Sequence, residues 1–446
     1  MTALGEPLEL RHGVPLTNRL AKAAMEELLA APGQLPGDQL VTLYRRLAAG
    51  GAGLLITGHV MIDRRAVAQP GDVVLEAGTP LEPFQRWAFA GQSAGGRIWM
   101  QINHPGRVIP KDLTDVTWAP SAVPIDIGGL SGMFPTPRAM TADEIGGTVE
   151  RFAVTAELAR RSGFDGVQIH AAHGYLLSQF LSPLANRRDD RWGGGLPDRA
   201  RLLLAVVGAV RGRVGADFTV AVKLNSADFQ RGGFDTDDAR DVIKMLADAG
   251  TDLVELSGGS IESLATAGAP ADGRTLAREA YFLALAEQLV ATSPVPLMLT
   301  GGIRRRAVAQ RVLGSGVAVA GMATALALDP DLPRRWLAEG GAGDGVRGGA
   351  GGGVRADVRA DATQGDVRAS TQPGLRDEAG VEPPRTRLRG KALAAAAVQA
   401  ATSRRLARLG AGKRPRPPYP PFLALLVERV VRARRRRAYL RWREGG

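Results

Sequence analysis

Two imidazoles and a phenol lie within six residues of one another: His170, His173 and Tyr175, in the stretch GFDGVQIHAAHGYLLSQFLSPLANRRDDRWGG from Gly163 to Gly194. A pair of imidazole N–H donors can polarise a substrate oxygen and stabilise the charge that develops on it. A phenol beside them can act as a general acid. A three-residue step puts both rings on one side if the segment after the strand begins a helical turn. Half of a metal site is the rival reading. It has little to complete it, because the other histidines are His12, His59 and His104 and no carboxylate lies inside the motif.

The element before these residues must hold them still. Gly166–Ile169 is a short apolar run after a glycine turn, which reads as a buried strand. Polar side chains at the C-terminal end of such a strand are what an α/β barrel offers its substrate. The chain repeats this pattern. Strands are predicted over Leu16–Met25, Gly53–Thr57, Arg97–Ile102, Gly166–Ile169, Thr219–Leu224, Leu253–Leu256, Pro296–Thr300 and Val317–Ala320. Helices are predicted between them over Asp38–Ala49, Leu81–Ala94, Ile145–Ser162, Arg199–Val210, Thr236–Ala249 and Arg278–Ala291. Asp38 and Thr236 are the expected N-caps, and Thr141-Ala142-Asp143-Glu144 fits a capping box. Eight strands alternating with helices specify a (β/α)8 TIM barrel, a parallel α/β fold.

The motifs are specific enough to name a family. His-x-x-His-Gly-Tyr with a downstream Asn186-Arg187-Arg188 and Trp192-Gly193-Gly194 resembles the Old Yellow Enzyme family of FMN-dependent NADH:flavin oxidoreductases, and the likeness runs over roughly residues 5–338. The resemblance implies FMN as cofactor, NADH or NADPH as reductant, and an enone-type small molecule as substrate. It places the backbone of Ala23, Ala24 and Met25 against the flavin, and Gln101 on its pyrimidine edge, where an amide offers both donor and acceptor. Lys223 would sit beside the flavin, where a cation favours the anionic reduced form. Gly301, Gly302, Ala323 and Thr324 would meet the phosphate, and His170, His173 and Tyr175 the substrate, with Tyr175 as proton donor. In the family an arginine usually stands where Thr324 is, and Arg304, Arg305 and Arg306 are the nearby candidates to replace its charge. Glu26 takes a position often held by Thr, Cys or Ser near the flavin carbonyl. Either it faces the site, or Glu26 or Glu27 turns away to pair with Lys22 or an arginine. His59 reads as a group near the flavin or as a local hydrogen-bonding residue, and Met133 and Phe134 as pocket lining or loop packing. Two other functions remain open: another FMN-dependent reaction such as amine demethylation, and a barrel that binds without catalysis.

Composition limits the remaining possibilities. The 446 residues contain no cysteine, which excludes disulfides, thiol nucleophiles and cysteine-ligated clusters. The net charge of +12 belongs to the end of the chain: 18 of the 57 Lys and Arg lie in residues 385–446 with 2 of the 45 acids, leaving 39 against 43 elsewhere. A specific nucleic-acid role is therefore not expected of the catalytic body. The division expected is a barrel over 1–338, a Gly/Ala/Asp-rich flexible linker over 339–384 with recurring Val-Arg pairs, and a basic helical tail over 385–446. That tail would pack on the barrel or on a second copy in a homo-oligomer, or lie on a membrane surface. No secretory signal pattern or membrane-length apolar run is present, so a cytoplasmic protein is expected.

Overall fold

The computed structural model describes residues 3–263, 280, 282–341, 391–414 and 420–445. Eight parallel strands close on themselves: β1 (Leu20–Lys22), β2 (Leu54–Ile56), β3 (Arg97–Asn103), β4 (Gly166–Ala171), β5 (Thr219–Asn225), β6 (Leu253–Ser257), β7 (Leu297–Thr300) and β8 (Val319–Met322). Each pairs with its successor, and β8 returns to β1 with Leu20 opposite Ala320. Every residue of β4, β5 and β6 is buried. That is why these strands read as continuous apolar runs broken only by residues with a polar task.

The first strand is shorter than Leu16–Met25. Leu16 turns back to pair with Leu8 under the barrel, and Ala23–Met25 leave the sheet above it, Ala23 donating its N–H to Met322 O. His59 lies at the edge of a strand the sequence did not signal, Val60–Met61, which pairs with the upper end of β3.

The six expected helices stand where the pattern puts them, with changed ends, and two further ones follow the last two strands. They are α1 (Asp38–Ala48), α2 (Glu82–Gln92), α3 (Ala142–Arg161), α4 (Leu196–Val214), α5 (Thr236–Asp248), α6 (Leu283–Val290), α7 (Arg306–Gly314) and α8 (Leu332–Gly341). Thr141 and Glu144 form the capping box on α3. Asp38 is the first residue of α1 rather than its cap, a place where a carboxylate still favours the helix dipole. Asp235, not Thr236, caps α5 by accepting from Asp237 N and Asp238 N. The helix expected from Arg278 begins at Leu283, with residues 278 and 279 outside the described residues. Nearly all of the predicted linker also lies outside them.

The basic end of the chain forms two helices, α9 (Lys391–Gly410) and α10 (Pro421–Glu444). α9 packs against α1 and against the short helix Thr324–Leu328 that follows β8. Gly410 lies where a Cβ would come within 2.6 Å of Gln39 O. α10 is tied to the barrel loops. Arg432 Nη2 donates to Asp112 Oδ1 at 2.8 Å, Arg436 Nε to Asp112 O at 2.6 Å, and Tyr439 OH to Arg64 O at 2.8 Å. Tyr439 is fully buried and shares an apolar cluster with Tyr175, Val108, Ile109 and Leu113. Arg432, Arg436 and Arg443, whose Nη1 donates to Leu113 O, thus fasten the tail to the barrel. No described helix is long and apolar enough to cross a membrane.

Candidate active site

The strand register builds the floor of the site. On β4, Gln168 and His170 share the inward face because side chains alternate. Gln168 lies opposite Gln101 of β3, His170 opposite Lys223 of β5, and Lys223 opposite Glu255 of β6. The result is a continuous buried chain. Gln101 Nε2 donates to Gln168 Oε1 at 2.7 Å, Gln168 Nε2 to Glu255 Oε2 at 2.7 Å, and Lys223 Nζ to Glu255 Oε1 at 2.8 Å. Sequence reasoning named Gln101 and Lys223 and missed Gln168 and Glu255. The signals were present: Gln168 is two residues before His170, and a carboxylate inside the apolar run Leu253–Ser257 needs a buried partner.

Above this floor the strand does not continue into a helical turn. His173 and Gly174 adopt left-handed backbone angles, φ 64° and 80°, and the helix Leu176–Leu181 begins only after Tyr175. This corrects the expected route but not its result. The His170 ring lies 5.0 Å from that of His173 and 5.0 Å from that of Tyr175, centroid to centroid, nearly perpendicular to each. The strained turn at His173 is held by its N–H, which donates to Asn225 Oδ1 at 3.2 Å, and by Ser257 Oγ, 2.7 Å from Nε2. His170 Nδ1 accepts the Ala172 N–H at 3.2 Å, so a neutral ring carries its proton on Nε2. Both imidazoles are held well below their usual pKa. Burial is the main cause for each, reinforced at His170 by His173 and Lys223, and at His173 by Lys223 and His59. At neutral pH they are uncharged single donors.

The two acids after Met25 take different tasks. Glu27 turns inward beneath the site: Lys22 Nζ donates to its Oε1 at 2.7 Å, and also to Tyr44 OH at 2.8 Å and Ile56 O at 2.7 Å. Glu26 faces the site, where Tyr175 OH donates to its Oε1 at 2.9 Å. Burial, and then Glu26, push the Tyr175 phenol well above its ordinary pKa. His59 joins this group with its ring 5.4 Å from that of Tyr175. Its Nδ1 is 3.1 Å from Asn103 Nδ2. Its Nε2 stands 3.4 Å from Asp72 and 3.7 Å from Glu26, near enough for charge but forming no hydrogen bond. Burial works to lower the His59 pKa, and the nearby carboxylates, Asp72 first, outweigh it and raise it. Phe134 packs in the cluster that holds Tyr175, whereas Met133 is exposed.

The mouth also has what a flavin nucleotide needs. Lys223 donates one bond and keeps two further N–H donors, and it is linked to the Gln101 amide through Glu255 and Gln168. At the end of β7 the Thr300 hydroxyl is buried without a partner, immediately before Gly301 and Gly302, both at positive φ. A Cβ on Gly321 of β8 would lie 2.3 Å from that hydroxyl, so only glycine leaves the space between the last two strands open. Ala323 and Thr324 follow β8 and open the short helix. Arg306 does not reach this place, because its Nε donates outward to Trp336 O. An unpaired hydroxyl, positive-φ glycines, the Gln101 amide and the spare donors of Lys223 are a donor set that fits FMN, with a neutral residue where the family's arginine would stand.

A closed (β/α)8 barrel with these groups at its C-terminal mouth defines a flavin-dependent oxidoreductase. The chain belongs to the NADH:flavin oxidoreductase / NADH oxidase family, whose model matches residues 3–340, so its cofactor is FMN and its reductant a nicotinamide. It is 36% identical over 352 residues to the NADH-dependent flavin oxidoreductase iliE of Hypocrea jecorina, covering 74% of this chain and 87% of that one. The corresponding protein of Neonectria sp. is also 36% identical over 74% of this chain, which spans only 46% of that longer protein. Among solved structures, the old yellow enzyme homologue of Zymomonas mobilis superposes with a TM-score of 0.65 at 26% identity, over 76% of this chain and 93% of that one. Morphinone reductase in complex with tetrahydroNAD gives 0.63 at 26% identity, over 76% and 91%.

Proposed function

We propose that the protein reduces the activated C=C bond of an α,β-unsaturated carbonyl compound at the expense of NADH or NADPH. The observation that carries this reading is the grouping of two neutral imidazoles and a protonated phenol, rings 5.0 Å apart, above the Gln101–Lys223 floor. FMN, when bound, supplies the hydride for the β-carbon. His170 and His173 hold the substrate oxygen, and as uncharged N–H donors they stabilise the charge that develops there without themselves losing a proton. Tyr175 gives its hydroxyl proton to the α-carbon. Gln101 and Lys223 would hold the pyrimidine edge of the cofactor, with the backbone at Ala23, Ala24 and Met25 beside it. Gly301, Gly302, Ala323 and Thr324 would receive its phosphate. Tyr175→Phe tests the reading: oxidation of the reduced enzyme by an enone should slow about a hundredfold or more, while reduction by NADH stays within about twofold. Equal slowing of both half-reactions would remove the acid role.

The outward face of α10 carries the exposed side chains Phe422, Leu423, Leu426 and Val430, followed by exposed Arg434, Arg437 and Arg441. We assign this face to an anionic lipid surface. Co-sedimentation with anionic but not with neutral vesicles is the expected result, and equal recovery with both would refute it.

A further inference from the structure

We propose that Glu26 returns the proton to Tyr175 after each turnover, and that the tail residue Gln399 positions it. The inference rests on the reading of Tyr175 as the acid. A tyrosine that has given its proton to the α-carbon is a phenolate, and this one is only 9% exposed. Burial disfavours the anion, so the proton must be replaced before the next substrate. Among the described residues the hydroxyl has one hydrogen-bond partner, Glu26 Oε1 at 2.9 Å.

Glu26 has the placement a relay requires. Its side chain is 25% exposed, and its second oxygen, Oε2, accepts from Gln399 Nε2 of α9 at 3.2 Å. The carboxyl group thus touches the buried phenol on one side and the tail helix, with solvent access, on the other. The neighbouring groups are not so placed. His59 makes no hydrogen bond to Tyr175, and Glu27 is occupied by Lys22, Tyr44 and Gly58 N. The transfer balances simply. Once the phenolate has formed, the Glu26 carboxylate takes a proton from solvent, and the resulting carboxyl gives it to the phenolate oxygen along the existing contact. One solvent proton enters per turnover and no electrons move in this step.

The test separates first from later turnovers in the FMN-loaded, full-length enzyme. With Glu26→Gln, which keeps an acceptor but cannot carry the proton, the first oxidation of reduced enzyme by an enone uses the proton already on Tyr175 and should be slowed far less than the later turnovers. Steady-state turnover should fall about tenfold or more. With Glu26→Ala, added formate or acetate should restore it. Gln399→Ala should lower steady-state turnover by a smaller factor, with the first turnover again spared. Wild-type steady-state rates in Glu26→Gln would overturn the proposal. So would first and later turnovers slowed alike, or no rescue of Glu26→Ala. A Tyr175→Phe enzyme whose first turnover is unimpaired would instead overturn the underlying assignment of the acid.

Discussion

Replacing Glu27 by Gln strands a buried cation, and its cost can be worked out. Lys22 is fully buried, and all three of its donors are used, on Glu27, Tyr44 and Ile56. Burial already lowers its pKa, with Glu27 as the main opposing influence. Without that carboxylate the side chain can stay charged and unpaired, at several kcal/mol, or give up its proton. The second course sets the ceiling. Deprotonating a lysine of ordinary pKa 10.5 at pH 7 costs about 1.4 kcal/mol per pH unit, or ~5 kcal/mol. Glu27→Gln should therefore lose about 3–5 kcal/mol in urea unfolding at pH 7. The sign with pH follows. A folded state with neutral Lys22 binds fewer protons than the unfolded chain, so the variant gains stability as pH rises. Its deficit relative to wild type should shrink by up to ~3 kcal/mol between pH 7 and 9. Lys22→Met combined with Glu27→Gln removes the stranded charge and should recover most of the loss. A loss under ~1 kcal/mol, or a deficit constant with pH, would refute the reasoning.

Other consequences can be checked directly. The unfolded chain takes protons on His170 and His173 near pH 6.5 while the folded one does not, so stability should fall by roughly 2–3 kcal/mol from pH 7 to 5.5 on account of these rings; a rise on acidification would contradict their neutral state. Gly58→Ala puts a Cβ 2.0 Å from Glu27 Oε2 and 2.3 Å from Met25 O, and should cost about 1–3 kcal/mol and disturb the site by moving the Met25 backbone, read as lowered flavin content. Arg432 holds the Asp112 carboxyl below its ordinary range, so this tail contact is intact above pH 3.8 and is lost as pH falls further. Asp112→Ala should speed proteolytic removal of α10 at neutral pH, and an unchanged cleavage rate would show that the ion pair does not secure the tail.

How much of this was legible in the chain depends on the kind of signal. The eight strands were, because burial on both faces leaves an unbroken apolar run that few other elements share. His170, His173 and Tyr175 were legible as a motif, but their route was not, since a left-handed histidine has no mark in the sequence beyond the glycine after it. Gln168 and Glu255 escaped because their meaning lies in register: each is a lone polar residue until strand pairing sets it opposite Gln101 or Lys223. Glu26 and Glu27 were legible as alternatives, and the structure divides them, one to Lys22 and one to Tyr175. Gln399 could not be anticipated at all, since its partner lies 373 positions away and no local pattern encodes such a contact.

That contact bears on how the enzyme is assembled and handled. The ribosome finishes every barrel strand before it makes α9 and α10, yet these helices bring Gln399 to Glu26 and Tyr439 to the cluster around Tyr175. The acid's surroundings are therefore complete only when α9 and α10 have docked. A preparation in which these helices are clipped or displaced would carry an acid with incomplete surroundings, and its fault would be misread as poor substrate choice.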